Sequence, residues 1–258
     1  MFSLLGPLRV VDSAREIPVQ AAKQRAILAM LLLRSNRVVT FDLLTSELWA
    51  AGPPATAKTS LQTYVYRLRR TIAPLATCGV ELRTQGSGYL LAVPDGVVDL
   101  GIFEKLTTAG AEALNTGDPG LAAECLRDAL GMWRGPLLAD VDVEVVRQER
   151  RRMEEIRLNA HEMRLEAELQ LGLNIHVVPE LEQFIAAQPF RETLWATLMR
   201  ALNAGGRRME ALDAYRRLYR VLDQELGIQP NAEMQRLYQD ILHGHPGSLI
   251  LSGGRRQS

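Results

Sequence analysis

Cysteines, aromatic residues and long apolar runs are scarce in this sequence of 258 residues. The two cysteines, Cys78 and Cys125, cannot build a disulfide framework, so we expect a reduced, cytoplasmic setting. Aromatic residues make up 5% of the chain, which predicts mainly aliphatic cores. The apolar run Ile27 to Leu33 stops at Arg34 and is far shorter than the about 20 residues of a membrane-spanning helix. These absences exclude a disulfide scaffold and disfavour a membrane protein.

The sequence also lacks the usual patterns of catalysis and metal binding. Neither cysteine belongs to a CxxC pair, there is no HExxH motif, and the four histidines are not arranged as a ligand set. Gly86-Ser87-Gly88 is not followed by Gly-Lys-Ser/Thr, so it does not form a phosphate-binding loop of the nucleotide-binding type. We therefore expect no enzymatic activity, no metal and no cofactor.

Charge is distributed unevenly along the chain, although the formal net charge is zero. Residues 1–98 contain nearly twice as many Lys and Arg as Asp and Glu, and the remainder of the chain is acidic. A basic first part followed by an acidic second part predicts that the first part binds a polyanion.

The stretch Thr56 to Ala73 predicts an amphipathic helix without a single carboxylate. Helical spacing places Leu61, Val65, Leu68 and Ile72 on one apolar stripe. The opposite face and its flanks carry hydroxyl, amide and guanidinium groups, from Thr59, Gln62, Thr63, Tyr66, Arg67, Arg69 and Arg70. Such groups suit base edges and phosphate oxygens in DNA. A basic surface helix without a partner is the alternative interpretation of this stretch alone.

The surrounding sequence predicts a winged helix–turn–helix domain over residues 1–98. Three short strands before residue 20 are followed by a helix beginning near Lys23 and Arg25. Thr40 is placed to cap a second helix, and Thr56 is placed to cap the third, after the break Ala51 to Ala55. Strands over 80–84 and 89–93 form a hairpin, or wing, with Ser87 at its tip.

Residues 99–246 predict an all-α domain of helical repeats. Two helices fit between Gly172 and Gly206, and the spacing of these glycines is the repeat length of tetratricopeptide-type repeats. The concave faces of such repeats bind peptides or protein surfaces. Residues 247–258 end in small and polar residues and are expected to be a flexible tail. The predicted fold class is mainly α with a small β part.

Several motifs together resemble one family of regulators. LLGPLRV, KQRAILAMLLL, PPATA, LQTYVYRLRR and GSGYLL occur in the order seen in the DNA-binding domain of the Streptomyces antibiotic regulatory protein family. WRGPLLADV, QPFRETLWATLMRAL, GRRMEALDAYRRL and ELGIQPNAEMQRLYQDIL resemble the bacterial transcriptional activation domain that follows it. The chain is similar to the small, stand-alone members, without a receiver or ATPase module.

The resemblance implies a pathway-specific activator of antibiotic or secondary-metabolite genes. It implies that two protomers bind side by side on tandem direct repeats overlapping the promoter −35 region. It also implies recruitment of RNA polymerase through the sigma factor and neighbouring subunits. With double-stranded DNA as the partner, the protein is expected in the cytoplasm, associated with the nucleoid.

Individual DNA contacts follow from side-chain chemistry. Arg67 or Gln62 is the candidate for reading a base, because each can make bidentate contacts. The candidates for phosphate or wing contacts are Arg69, Arg70, Lys23, Arg25, Lys58, Arg83 and Ser87. Two other functions stay open: a regulator that senses a small molecule in the repeat groove, and a protein-interaction adaptor that does not bind DNA.

Overall fold

The computed structural model describes residues 1–13 and 15–244, without the side chain of Ile175, and it begins with a small antiparallel sheet. The strands are β1 (Phe2–Ser3), β2 (Arg9–Asp12) and β3 (Arg15–Glu16), with β2 in the centre. The three predicted strands are confirmed. The chain leaves β1 at Leu4 and Leu5, whose backbone groups bond to other parts of the chain.

A helix–turn–helix and a second three-stranded sheet follow. Their elements are α1 (Ala22–Leu33), β4 (Val38–Thr40), α2 (Phe41–Leu48), α3 (Ala57–Ile72), a 3-10 helix (Ala73–Cys78), β5 (Glu81–Gln85) and β6 (Gly88–Ala92). The predicted hairpin is confirmed, and β4 pairs with the free side of β6, giving the order β4-β6-β5. This arrangement is a winged helix, as the sequence predicted.

The two predicted helix caps have different outcomes. The Thr40 hydroxyl accepts a hydrogen bond from the backbone N–H of Leu43 at 3.3 Å, so this N-cap is confirmed. Thr56 occupies the N-cap position of α3, but its side chain makes no capping bond, so that prediction was wrong. Its φ of −90° and ψ of 7° lie outside the extended region in which a hydroxyl reaches the first turn.

The rest of the described chain is helical. The helices are α4 (Asp99–Thr116), α5 (Pro119–Gly131), α6 (Glu144–Gln170), α7 (Asn174–Ala187), α8 (Glu192–Ala204), α9 (Arg208–Leu226) and α10 (Ala232–His243). Gly172 and Gly206 end α6 and α8 with left-handed φ angles of 80° and 75°, so both glycines stand at the same place in successive helix pairs. The predicted mainly α fold class is confirmed.

Two compact units divide the described chain differently from the predicted domains. Unit 1 comprises Met1–Thr107 and Asp128–Leu158, and unit 2 comprises Thr108–Arg127 with the residues from Asn159 onward. The boundary predicted at residue 98 therefore lies inside unit 1. That the winged-helix domain ends there stays a prediction. The predicted tail, residues 247–258, lies outside the described residues.

Unit 1 is held together by buried polar contacts across that predicted boundary. The Asp99 carboxylate accepts the backbone N–H of Leu4 at 2.7 Å and that of Leu5 at 3.2 Å. The carbonyls of the same two leucines accept the N–H groups of Leu138 and Arg134 at 2.9 and 2.7 Å. Burial raises the pKa of the Asp99 carboxyl, and the two backbone donors and Arg134 oppose the rise.

Unit 2 has its own apolar core. Trp195, Leu198 and Leu218 lie at its centre, with the indole N–H of Trp195 donating to the carbonyl of Pro189 at 2.9 Å. Ala211 on α9 is fully buried, and so small a side chain lets facing repeat helices approach closely. The helices of this unit thus pack as successive antiparallel pairs of the tetratricopeptide type.

Candidate nucleic-acid interface

Helix α3 has one buried and one exposed face, as its sequence predicts. The apolar stripe is completely packed, since Leu61, Val65, Leu68 and Ile72 are at most 3% exposed. Burial of each such side chain contributes about 1.5–3 kcal/mol to folding. The opposite face is open, and Tyr66 at its centre is 59% exposed. The packing that holds α3 therefore leaves its polar face free.

The polar face of α3 presents donors that are not consumed within unit 1. Arg67 and Arg70 are exposed, and their guanidinium groups have no hydrogen-bond or ion-pair partner among the described residues. Thr59, Gln62 and Thr63 are exposed beside them. The Thr63 hydroxyl donates to the carbonyl of Thr59 at 2.9 Å, which leaves its oxygen able to accept a bond.

Arg69 is turned toward the wing instead of toward solvent. Its Nε donates to the carbonyl of Leu82 at 2.8 Å, and its Nη2 donates to the Thr84 hydroxyl at 2.8 Å. The guanidinium also lies 5.8 Å from the centre of the Tyr89 ring. Arg69 therefore fastens α3 to the open edge of β5, and we replace its predicted phosphate contact with this positioning role.

Arg25 was also predicted as a phosphate contact, and the structure gives it another role. Its guanidinium donates to the carbonyls of Leu8 at 2.7 Å and Val19 at 3.0 Å, and it forms an ion pair with Asp140. Burial lowers its pKa, and Glu16 opposes that shift. The Asp140 carboxylate takes the place of the DNA phosphate that was predicted to bind Arg25, so Arg25 leaves the candidate interface.

Lys23 stays in the candidate set, in a fixed position. Its Nζ lies 4.0 Å from the centre of the Trp49 ring, which is within the range of a cation–π contact. Only one side of an ammonium group is used by such a contact. Lys23 can therefore still donate to a phosphate, and Trp49 restricts where the ammonium lies.

The wing is a two-residue hairpin whose exposed tip carries polar groups. Gln85 pairs with Gly88, and Gly86 has a φ of 55°, the conformation that favours glycine at the first central position of such a turn. Ser87 is exposed, and its carbonyl accepts the backbone N–H of Phe41 at 2.9 Å, which ties the tip to α2. Arg83 is about half exposed, and its Nη1 lies 3.9 Å from the Oε2 of Glu81. Lys58 is exposed in the first turn of α3.

Gly88 fixes the wing against β4. A Cβ atom at this position would lie 2.2 Å from the carbonyl oxygen of Val39 and 2.9 Å from the Cα of Thr40, both backbone atoms. We expect Gly88→Ala to lower the free energy of unfolding by at least about 2–3 kcal/mol, because the two strands must separate. Thermal unfolding would report this as a fall in Tm of roughly 5–10 °C.

The matched control for that substitution is Gly101→Ala in α4. A Cβ at Gly101 meets no atom within 4 Å, and alanine is the better helix former. We expect no loss of stability there. An equal fall in Tm for both variants would contradict the proposed close contact of β4 and β6.

Other kinds of site find no support in the part of the chain that the structure describes. It contains no group of three or more His, Cys, Asp or Glu residues placed to hold a metal ion. No described helix combines the length and apolarity needed to span a membrane. Cys78 and Cys125 are both free thiols.

Comparison with known proteins defines the class as transcriptional regulators. Residues 17–91 match the family model "Transcriptional regulatory protein, C terminal", and residues 98–242 match the "Bacterial transcriptional activator domain". The chain is 38% identical over 252 residues to the regulatory protein DnrI of Streptomyces peucetius, covering 95% of this chain and 93% of that protein. The chain belongs to the Streptomyces antibiotic regulatory protein family of transcriptional activators, and it is not an enzyme.

Longer relatives contain the same region as a part. The transcriptional regulatory protein EmbR of Mycobacterium tuberculosis is 37% identical, and the match covers 95% of this chain but 64% of EmbR. A solved structure of EmbR with a low affinity phosphopeptide aligns with a TM-score of 0.89, again over 95% of this chain and 65% of that chain. The regulatory protein AfsR of Streptomyces coelicolor is 36% identical, and the match covers 26% of its length.

Proposed function

We propose that this activator binds promoter DNA through the polar face of α3 together with the wing. The observation that carries the proposal is the exposed, carboxylate-free face with the unpartnered guanidinium groups of Arg67 and Arg70. Arg69 supports it indirectly, because it holds the wing at a fixed place beside that face. A rigid helix and wing can enter adjacent grooves of one duplex without a further folding step.

Within this proposal, the residues divide by the kind of contact they make. Arg67, or Gln62, reads a base edge in the major groove, where bidentate contacts distinguish one base pair from another. Arg70, Lys58 and Lys23 neutralise phosphates and fix the register of the helix. The remaining residues of the α3 face and the wing line the two grooves, namely Thr59, Thr63 and Tyr66 on α3 and Arg83 and Ser87 on the wing.

The regulatory role extends this proposal to promoters. Two protomers bind side by side on direct repeats over the −35 region, and such repeats must lie about one helical turn apart to share a face of the duplex. Bound there, the protein recruits RNA polymerase to genes of antibiotic or secondary-metabolite synthesis. We place this activity in the cytoplasm, where DNA and polymerase are available.

A gel-shift titration of Arg70→Ala at several salt concentrations tests the phosphate contacts. Because Arg70 is assigned to a phosphate, we expect weaker binding to all sequences alike. The slope of log affinity against log salt should become shallower by about 1. Arg216→Ala in unit 2 is the control, since Arg216 is exposed on α9 and lies outside the candidate interface.

The same titration separates DNA binding from the adaptor function. If the wild-type protein binds DNA weakly and its affinity does not depend on salt, it lacks phosphate contacts, and that result would favour the adaptor function. Equal slopes for Arg70→Ala and Arg216→Ala would remove Arg70 from the interface.

A further inference from the structure

A groove on unit 2 is not used by the proposed DNA contacts. It is a cavity of about 340 Å³ lined by residues of α4, α6, α8 and α10, the first helices of successive pairs. Leu114, Met163, Ala196 and Met234 supply apolar surface to its lining. Methionine is flexible and polarisable, and it is frequent where a surface must fit the side chains of a partner.

Carboxylates from three helices surround this apolar floor. Glu162 and Glu166 lie one turn apart on α6, Glu192 lies in the first turn of α8, and Glu233 lies in the first turn of α10. Among the described residues, the only cation in the lining is Arg200, which pairs with Glu166 at 3.0 Å.

The four carboxylates around the groove, its rim, are only partly neutralised by ion pairs. Glu162 forms an ion pair with Arg191 beside the groove, and Glu192 accepts the backbone N–H of Asn231 at 2.8 Å. Glu233 is exposed. The described part of unit 2 as a whole contains more Asp and Glu than Arg, and it contains no Lys. The groove is thus apolar at the bottom and acidic at the edge.

We propose that this groove binds a basic amphipathic helix of a protein partner. Apolar side chains on one face of such a helix would occupy the floor, while flanking Lys and Arg residues meet the carboxylates. The charge is spread over α6, α8 and α10, which suits several cations along one helix better than a single small cation. Concave surfaces of helical repeats are a common place for this mode of recognition.

The inference does not depend on DNA binding by α3, and its test contains no DNA. The probe is a fluorescent 16-residue peptide. Leu occupies positions i, i+3, i+4 and i+7 along one face of its helix, and Ala and Lys occupy the other positions. A second peptide has Glu in place of every Lys. Fluorescence anisotropy with the full chain should show binding of the Lys peptide at least about tenfold tighter than binding of the Glu peptide.

Substitutions in the groove distinguish it from the general acidity of unit 2. Met163→Arg places a cation in the half-buried floor, and Leu121→Arg makes the same kind of change at a residue of α5 that is 48% exposed and outside the groove. Met163→Arg should weaken binding of the Lys peptide at least about tenfold, and Leu121→Arg should weaken it much less. Glu233→Gln should weaken it several-fold, whereas Glu225→Gln, also exposed but outside the groove, should leave it unchanged.

Three results would overturn the proposal. The first is no binding of the Lys peptide at any concentration up to its solubility. The second is binding that Met163→Arg and Leu121→Arg weaken equally, since the peptide would then recognise only the overall charge. The third is a dimer of the full chain in analytical ultracentrifugation that Met163→Arg dissociates, because the occupant would then be a second copy. Circular dichroism of each variant confirms that the comparison is made on folded protein.

Discussion

Arg67→Ala is expected to weaken binding to the cognate repeat by about 5–150-fold while changing binding to random DNA much less. A bidentate contact to a base contributes roughly 1–3 kcal/mol of discrimination. Arg67 is free to make such a contact because it is exposed and no described residue binds its guanidinium. The measurement is a pair of gel-shift titrations at one salt concentration, with the cognate repeat and with a shuffled sequence.

Arg15→Ala is the control for this substitution. Arg15 is an exposed arginine of β3 in the same unit, outside the candidate interface, and it carries the same charge. We expect it to retain both affinities. Equal losses on the two DNA sequences for Arg67→Ala would assign Arg67 to a phosphate and leave Gln62 as the base-reading candidate.

A fragment of residues 1–98 is expected to be unfolded or strongly destabilised, although it contains the whole winged-helix sequence. It lacks Asp99, Arg134 and Leu138, which bond the backbone of Leu4 and Leu5, two fully buried residues. Without these partners the two leucines become exposed, at about 1.5–3 kcal/mol each, and each lost backbone hydrogen bond costs about 0.5–1.5 kcal/mol. Several such losses together approach the entire stability of a typical domain, about 5–15 kcal/mol.

Thermal unfolding followed by circular dichroism measures this effect. A fragment of residues 1–158 retains these partners and is the matched control, for which we expect cooperative unfolding. A 1–98 fragment that unfolds as cooperatively, and at the same temperature, would show that the contacts across residue 98 contribute little.

The features that the sequence predicts well depend on local spacing. The buried and exposed faces of α3 follow from the helical period of Leu61, Val65, Leu68 and Ile72, and the wing follows from the glycines around Ser87. The helical repeats follow from Gly172 and Gly206, which stand at the same place in successive helix pairs. Each of these patterns can be read within a short window, so no knowledge of distant contacts was needed.

The features that the sequence missed depend on partners far along the chain. Arg25 looked like a free cation at a helix N-terminus, because Asp140, its ion-pair partner, is 115 residues away. Arg69 looked like a surface arginine because only the folded hairpin brings Leu82 and Thr84 to it. The contacts by which unit 1 extends beyond residue 98, such as those of Asp99 with Leu4 and Leu5, are of the same long-range kind.

The contact of α3 with the major groove is tested most directly by methylation interference on a promoter that the protein binds. A methyl group on guanine N7 projects into the major groove, whereas one on adenine N3 lies in the minor groove. We predict that methylation of guanine N7 lowers binding in each repeat, at positions about one helical turn apart. For Arg67→Ala, methylation of one guanine per repeat should no longer lower binding. Interference confined to adenine N3, or an identical guanine pattern for both proteins, would contradict the assignment of Arg67 and α3 to the major groove.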